Sequence, residues 1–339
     1  MAKHLLSLFL VLLLGTGAGW FLFLQDSQPD VLKQGPLLPE LAEQGSKIQR
    51  LAMLDAQGLS IEAEQVDGKW LISSEGGYPA DEQKLAELLQ ALVDAKRLQA
   101  KTRQVNQFHR LGLQALDAPG STVSQLTLET DDRSWQLLVG NTPASGHGRY
   151  VRFANDNQSW LIDQDLTLPM AVRDWMRQPI LNLDKQQIAS ISRLDSKGWR
   201  ISRESAEQTD FVLDKLPSGR ELKYASVLDS LLANVLNLNF EERLVVGEEF
   251  WQAPLQASMQ LVTFDGQQVD LSLLESEEKH YVRFTSQSSA PYWQGETYLI
   301  SGFSANQLDK QVEDFLAEPP APENKLPVGH VEEGEAPHR

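Results

Sequence analysis

The chain contains no cysteine, which removes thiolate nucleophiles, thiolate metal sites and disulfide staples at once. Histidine is scarce too. His4, His109, His147, His280, His330 and His338 are all there are, and none falls in a zinc-type cluster. Basic residues number 30 against 47 acids, a net charge of −17. A surface that neutralises phosphates needs clustered Lys and Arg, so this balance argues against nucleic acid as a partner and reads as solubility charge. Neither a Gly-x-Ser-x-Gly elbow nor a phosphate-binding loop with lysine is present. No spacing among the carboxylates singles out an acid/base pair. The expectation is a protein with no catalytic residue, no cofactor and no metal.

What the chain does have is one long apolar run. Leu5 to Leu24 carries no charge and matches the roughly 20 residues that span a hydrocarbon core. Lys3 and His4 precede it and Asp26 and Asp30 follow, which places residues 1–4 in the cytoplasm and the rest outside. A cleaved signal peptide would use Leu5 to Leu14 as its apolar core and cut near Gly15 to Gly19, but Trp20 to Leu24 prolongs the run past that point. An uncleaved single-pass anchor over 5–24 is the preferred reading. Gly15 and Gly19 lie four apart on one helical face, the spacing that lets a second membrane helix approach. Residues 25–45 carry Pro29, Pro36 and Pro39 without periodicity and read as a spacer. The cysteine-free body suits a bacterial envelope compartment, here the periplasmic side of the inner membrane.

The body repeats itself. Tyr150-Val151-Arg152-Phe153 returns as Tyr281-Val282-Arg283-Phe284, and Ser159-Trp160-Leu161-Ile162 is echoed by Thr297-Tyr298-Leu299-Ile300. Asp174-Trp175 and Asp314-Phe315 follow at matching distances, and Ile48 to Leu54 resembles Ile188 to Leu194 upstream. Two modules, 46–183 and 184–317, are expected, then an acidic Pro-rich tail over 318–339 without periodicity. In each, alternating runs joined by turns such as Asp67-Gly68 and Asp265-Gly266 read as hairpins. Trp199 is matched to Trp70. One amphipathic helix per module carries Leu85, Leu88, Leu89, Leu92 and Val93, or Tyr224, Val227, Leu228, Leu231, Leu232 and Val235. Ser304 to Gln307 is a capping box opening a last helix with Leu308, Val312, Phe315 and Leu316. The fold class is α+β: two tandem diverged repeats of antiparallel strands with packed amphipathic helices, after one transmembrane helix.

Few residues invite a binding role. Arg152 and Arg283 occupy matched strand positions and are read on the solvent side, where they could hold an anion. They could equally cover apolar surface or pair with a neighbouring acid. Asn141 and His147 belong to the polar loop Gly140 to Gly148 that leads into the first copy of the motif.

The order Gly68-Lys69-Trp70-Leu71-Ile72, Pro79-Ala80-Asp81 before a Leu-rich helix, Leu111-Gly112-Leu113, Leu138-Val139-Gly140-Asn141 and Tyr150-Val151-Arg152 resembles the bacterial family called domain of unknown function 4340. The resemblance covers about residues 48 to 180 and extends more loosely into the second half, which lacks Gly-Asn before Tyr281. It implies one N-terminal anchor, no assigned activity and no catalytic residues. It also implies an accessory envelope role beside ABC-type transporter components of the gliding-motility kind. The alternative is a ligand-binding module for an envelope glycan or peptide, with the Gly140 to Gly148 loop and Arg152 at its site.

Overall fold

The computed structural model describes residues 35–287 and 291–318. The run Leu5 to Leu24, with Gly15 and Gly19, and the tail beyond Glu318 lie outside the described residues. Among the described residues no helix is long and apolar enough to cross a membrane. The chain forms two compact units, divided between Arg177 and Gln178.

In the first unit α1 (Leu41–Gln44) precedes β1 (Arg50–Asp55), β2 (Ser60–Val66), β3 (Lys69–Ile72) and β4 (Tyr78–Pro79). Helix α2 (Glu82–Asp94) and β5 (Arg97–Ala100) follow, then β6 (Ser124–Glu129), β7 (Ser134–Val139), β8 (Arg149–Phe153) and β9 (Ser159–Ile162). These strands make one antiparallel sheet in the order β4-β3-β2-β1-β6-β7-β8-β9-β5.

The second unit has β10 (Ile188–Arg193), β11 (Arg200–Ser202), β12 (Val212–Leu213), α3 (Val227–Leu236) and β13 (Glu242–Leu244). It continues with β14 (Ala257–Thr263), β15 (Gln268–Ser276), β16 (Lys279–Ser286), β17 (Thr297–Ile300), α4 (Gly302–Leu308) and α5 (Val312–Phe315). Its sheet is also antiparallel, in the order β12-β11-β10-β14-β15-β16-β17-β13. With β4 set aside, the two orders correspond strand for strand. In both, the strand after the helix crosses to the far edge and pairs with the last strand.

Local sequence explains each element. In β14, Ala257, Met259, Leu261 and Thr263 are buried at every second position, the signature of one covered face. Asp81 caps α2 by accepting from the Lys84 amide, and the helix buries Leu85, Leu88 and Leu92 at spacings of three and four. On β1, Arg50 reaches Glu62 and Glu129 on the flanking strands, both at 2.9 Å.

The expected spacer over 25–45 is corrected in its second half, which belongs to the first unit. Leu37, Leu38 and Leu41 are buried, the Leu37 amide donates to the Ala95 carbonyl at 2.6 Å, and Arg97 bonds the carbonyls of Gly35 and Leu37. The second unit starts in the same way. Pro179-Ile180-Leu181 stands where Pro36-Leu37-Leu38 stands, with Ile180 and Leu181 buried and the Ile180 amide donating to Leu238. Gln178 accepts from the Phe240 amide, so residues 178–183 pack within the second unit rather than closing the first module. In both copies burial of the two apolar residues after the proline contributes about 2 kcal/mol each.

Two further expectations are corrected. Trp199 heads β11, the second strand of its sheet, whereas Trp70 lies in the third strand, β3. The last helix begins earlier, because Ser301 and not Ser304 is its cap, accepting from the Ser304 amide. Its apolar stripe is split between α4, which buries Ala305 and Leu308, and α5, which buries Phe315.

Candidate functional site

The repeated Tyr-Val-Arg-Phe lies on β8 and β16, and strand alternation divides its four side chains between the sheet faces. Val151 and Val282 are fully buried on the face of the main core. Tyr150 and Arg152, and likewise Tyr281 and Arg283, point to the opposite face. That face is covered by the connection to the strand that follows β5 or β13. In the first unit a turn of 3₁₀ helix, Val105–Arg110, lays Phe108 beside Leu113, Val123 and Leu138 as a second small core, with Tyr150 against it. In the second, the 3₁₀ helix Glu248–Gln252 brings Trp251 to Leu274 and Tyr281.

The expected exposure of Arg152 is therefore wrong: the residue is 8% exposed. Its guanidinium lies 4.6 Å from the centre of the Phe108 ring and donates to the carbonyls of Phe153, Ala154 and Asp156 in the turn of its own hairpin. Burial lowers its pKa from the ordinary arginine value, and the Asp156 carboxylate partly opposes this. Arg283 repeats the arrangement 4.7 Å from the Trp251 ring, and here its charge is met by Glu248 at 2.9 Å. Each arginine fixes a cover to the sheet.

Asn141 serves the same junction. Its amide donates to the Leu111 carbonyl, its carbonyl accepts from the Tyr150 amide, and its side chain accepts from the Thr122 hydroxyl. A methyl group on Gly140 would stand 2.2 Å from the Leu111 carbonyl oxygen, and Gly112 has a positive φ with the Asn141 side chain against it. Leu-Gly-Leu, Gly-Asn and Tyr-x-Arg, far apart in the chain, are thus three sides of one contact. His147 is apart from them: it is exposed, with Nδ1 3.9 Å from Asp165. The structure brings Asn141 to Tyr150 and Arg152 to Phe108, but it does not gather Asn141, His147 and Arg152 into one pocket. Among the described residues no group of His, Asp and Glu could hold a metal ion.

Two concave surfaces in the first unit escaped the sequence. An open depression is lined by Lys101, Thr102, Gln104, Gln107, Arg110, Leu111 and Tyr150, with the Lys101 ammonium 5.7 Å from the Tyr150 ring. A more enclosed cleft of about 520 Å³ lies between α2 and residues 163–170. Leu88 and Ala91 line it from the helix, facing Leu166, Leu168 and Pro169, with Trp175 at one end. Leu166 is buried there with φ of +41°, a conformation that L-residues seldom adopt. In the sequence Pro169 reads as the start of a short helix carrying Val172, Trp175 and Met176, but only the 3₁₀ turn Val172–Asp174 forms.

No curated protein and no solved structure matches the chain. A family model does match, over residues 70–259, more than half of the sequence. The matched segment begins in β3 and ends in β14, so it takes in parts of both units, and it contains all three sides of the Leu-Gly-Leu, Gly-Asn and Tyr-x-Arg contact. The chain belongs to the family described as Domain of unknown function (DUF4340).

Proposed function

We propose that the protein is a non-enzymatic, single-pass accessory of the bacterial inner membrane. Its N-terminus lies in the cytoplasm, and two tandem diverged modules stand in the periplasm to bind components of an ABC-type transport system. One observation carries the non-enzymatic part. The residues by which the chain resembles its family are spent on internal packing: Gly140 against Leu111, Asn141 against Tyr150, and Arg152 on Phe108. A shared architecture of that kind suits a scaffold, whereas a shared reaction centre would leave some of these polar groups facing a substrate. Matching strand orders support descent of the two units from one module. The anchor rests on the uncharged length of Leu5 to Leu24.

Protease added to spheroplasts tests the topology, and digestion of the body with a protected N-terminus is expected. A body that resists digestion until the membrane is lysed overturns it. Purification of the full chain in mild detergent tests the partner. Transporter subunits should be retained, and their absence under conditions that keep the chain in the membrane fraction counts against the accessory role.

A second reading, recognition of an envelope glycan or peptide, is favoured by the depression around Lys101, Arg110 and Tyr150. A tyrosine face flanked by two cations and amide side chains suits a polar, anionic chain. Its site is not the Gly140 to Gly148 loop with Arg152, because Arg152 is buried. Binding of envelope glycan fragments that disappears in Tyr150→Ala with Arg110→Ala would establish this reading over the first.

A further inference from the structure

The two units carry a cleft at the same place, and only one of them is filled. Each cleft lies between the unit's long helix and the segment after its last strand. Asp174 and Trp175 flank it in the first unit, and Asp314 and Phe315 in the second. The correspondence holds in detail. The Asp81 amide, at the start of α2, donates to the Trp175 carbonyl, and the Lys223 amide, ahead of α3, donates to the Phe315 carbonyl. In the second unit α4 packs on α3, burying Ala305 and Leu308, and only about 170 Å³ remains. In the first unit residues 163–170 form no helix, and about 520 Å³ stays open.

The filled cleft also has a latch that the open one lacks. Arg193, its side chain fully buried, reaches Asp309 at 2.7 Å and the Lys310 carbonyl at 3.0 Å, just past the end of α4. Following the strand registers outward from the matched Arg152 and Arg283, the position of Arg193 on β10 corresponds to Met53 on β1. Nothing charged stands there to hold a helix of the chain's own.

We infer that the cleft between α2 and residues 163–170 is a docking site for a short amphipathic helix of a partner protein, with apolar residues three apart and basic residues on its flanks. The apolar part follows from the second unit, where the element that fits this geometry is α4 with Ala305 and Leu308. The basic flanks follow from the rim, on which Glu87, Asp163, Asp165 and Asp174 outnumber the single cation Lys84. The volume falls within the roughly 300–1,000 Å³ of small binding sites, and a helix laid in an apolar groove is a recurring recognition mode. Met170, 89% exposed at the cleft mouth, supplies an adaptable apolar lip. The inference deepens the accessory reading and rests on it only for the identity of the partner.

The test titrates the full chain, reconstituted in lipid nanodiscs, with a stapled fluorescent peptide that reproduces Ser301 to Asp309 with lysines added at both ends. Saturable binding is expected. Ala91→Trp, which fills the groove, should weaken it about tenfold or more. Glu87→Lys, an exposed change that leaves the packing alone, should weaken it several-fold and strengthen binding of a peptide with glutamates in place of the lysines. Ser230→Trp, at the filled cleft, should change neither. Absence of binding, equal affinity for the two peptides, or indifference to both Ala91→Trp and Glu87→Lys overturns the inference. So does displacement of the peptide by decyl maltoside but not by unlabelled peptide, which would assign the groove to an acyl chain. Transporter subunits that co-purify equally with wild type and Ala91→Trp would leave the accessory reading standing and remove the cleft from it. Peptide binding that Ala91→Trp weakens, with no transporter subunit co-purifying even with wild type, would do the reverse.

Discussion

The Arg152 guanidinium sits over Phe108, 4.6 Å from the ring centre, and gathers three carbonyls of the β8–β9 turn. One side chain thereby joins a covering loop, a strand and a hairpin tip. Its counterpart, Arg283 over Trp251, holds a cover in the same way but closes on the exposed carboxylate of Glu248 instead of on turn carbonyls. The two copies keep the mechanical role and differ in what neutralises the charge.

Replacing Arg152 by alanine should therefore cost more than replacing Arg283. The first change loses a desolvated cation–π contact and leaves turn carbonyls without a donor, together about 2–3 kcal/mol. The second also loses a cation–π contact, with Trp251, but its charge partner is a carboxylate largely in water, so about 1–2 kcal/mol is expected. Urea unfolding of the two variants checks this. Equal losses would mean that the carbonyl contacts of Arg152 contribute nothing.

Gly140→Ala should destabilise the first unit by more than about 2 kcal/mol, because the new methyl group would meet the Leu111 carbonyl at 2.2 Å and backbone must move. Gly58→Ala provides the comparison. It carries a left-handed strain that Gly140 does not, with φ of +94°, and has open space around it, so about 1 kcal/mol is expected. Thermal melts of both variants separate a steric junction from simple backbone preference.

Much of this was legible in the sequence, and the limits have physical causes. Alternation located β8 and β9 to the residue, and the stripe of Leu85, Leu88 and Leu92 located α2. The same alternation put Arg152 on the face opposite Val151, but it could not show that the second face is also covered. The cover is residues 101–123, irregular and bearing Gly and Pro, with no period to betray burial. Pro36 and Pro39 made the Leu37 to Leu41 segment resemble a spacer, since two or three buried leucines are too few to show a stripe. The open cleft depends on a difference between the copies, Pro169 against the Ser301 cap, that becomes meaningful only when both are seen on the same scaffold.

The first unit should need its entry segment. A chain starting at Ser46 lacks three buried leucines and the Leu37 to Ala95 hydrogen bond, and should melt well below one starting at Gly35. In the full chain, Leu41→Ala should cost about 2–4 kcal/mol. The same reasoning applied to the second unit predicts a similar loss for Ile180→Ala. Indifference to Leu41→Ala would mean that residues 36–44 are packed against the unit without stabilising it.

The β15–β16 hairpin turns on two residues, Glu277 and Glu278, with φ of +52° and +62°. Two successive left-handed residues are the requirement of a type I′ turn, which Asn-Gly meets with little strain and glutamate does not. Like charges at adjacent positions add repulsion to the conformational cost. Glu277→Asn with Glu278→Gly should therefore stabilise the second unit by about 1–2 kcal/mol and raise its melting temperature by a few degrees. The effect should persist in high salt, where repulsion is screened and only the backbone term remains. A gain that vanishes in salt would assign the strain of this tip to charge and leave the left-handed backbone without measurable cost.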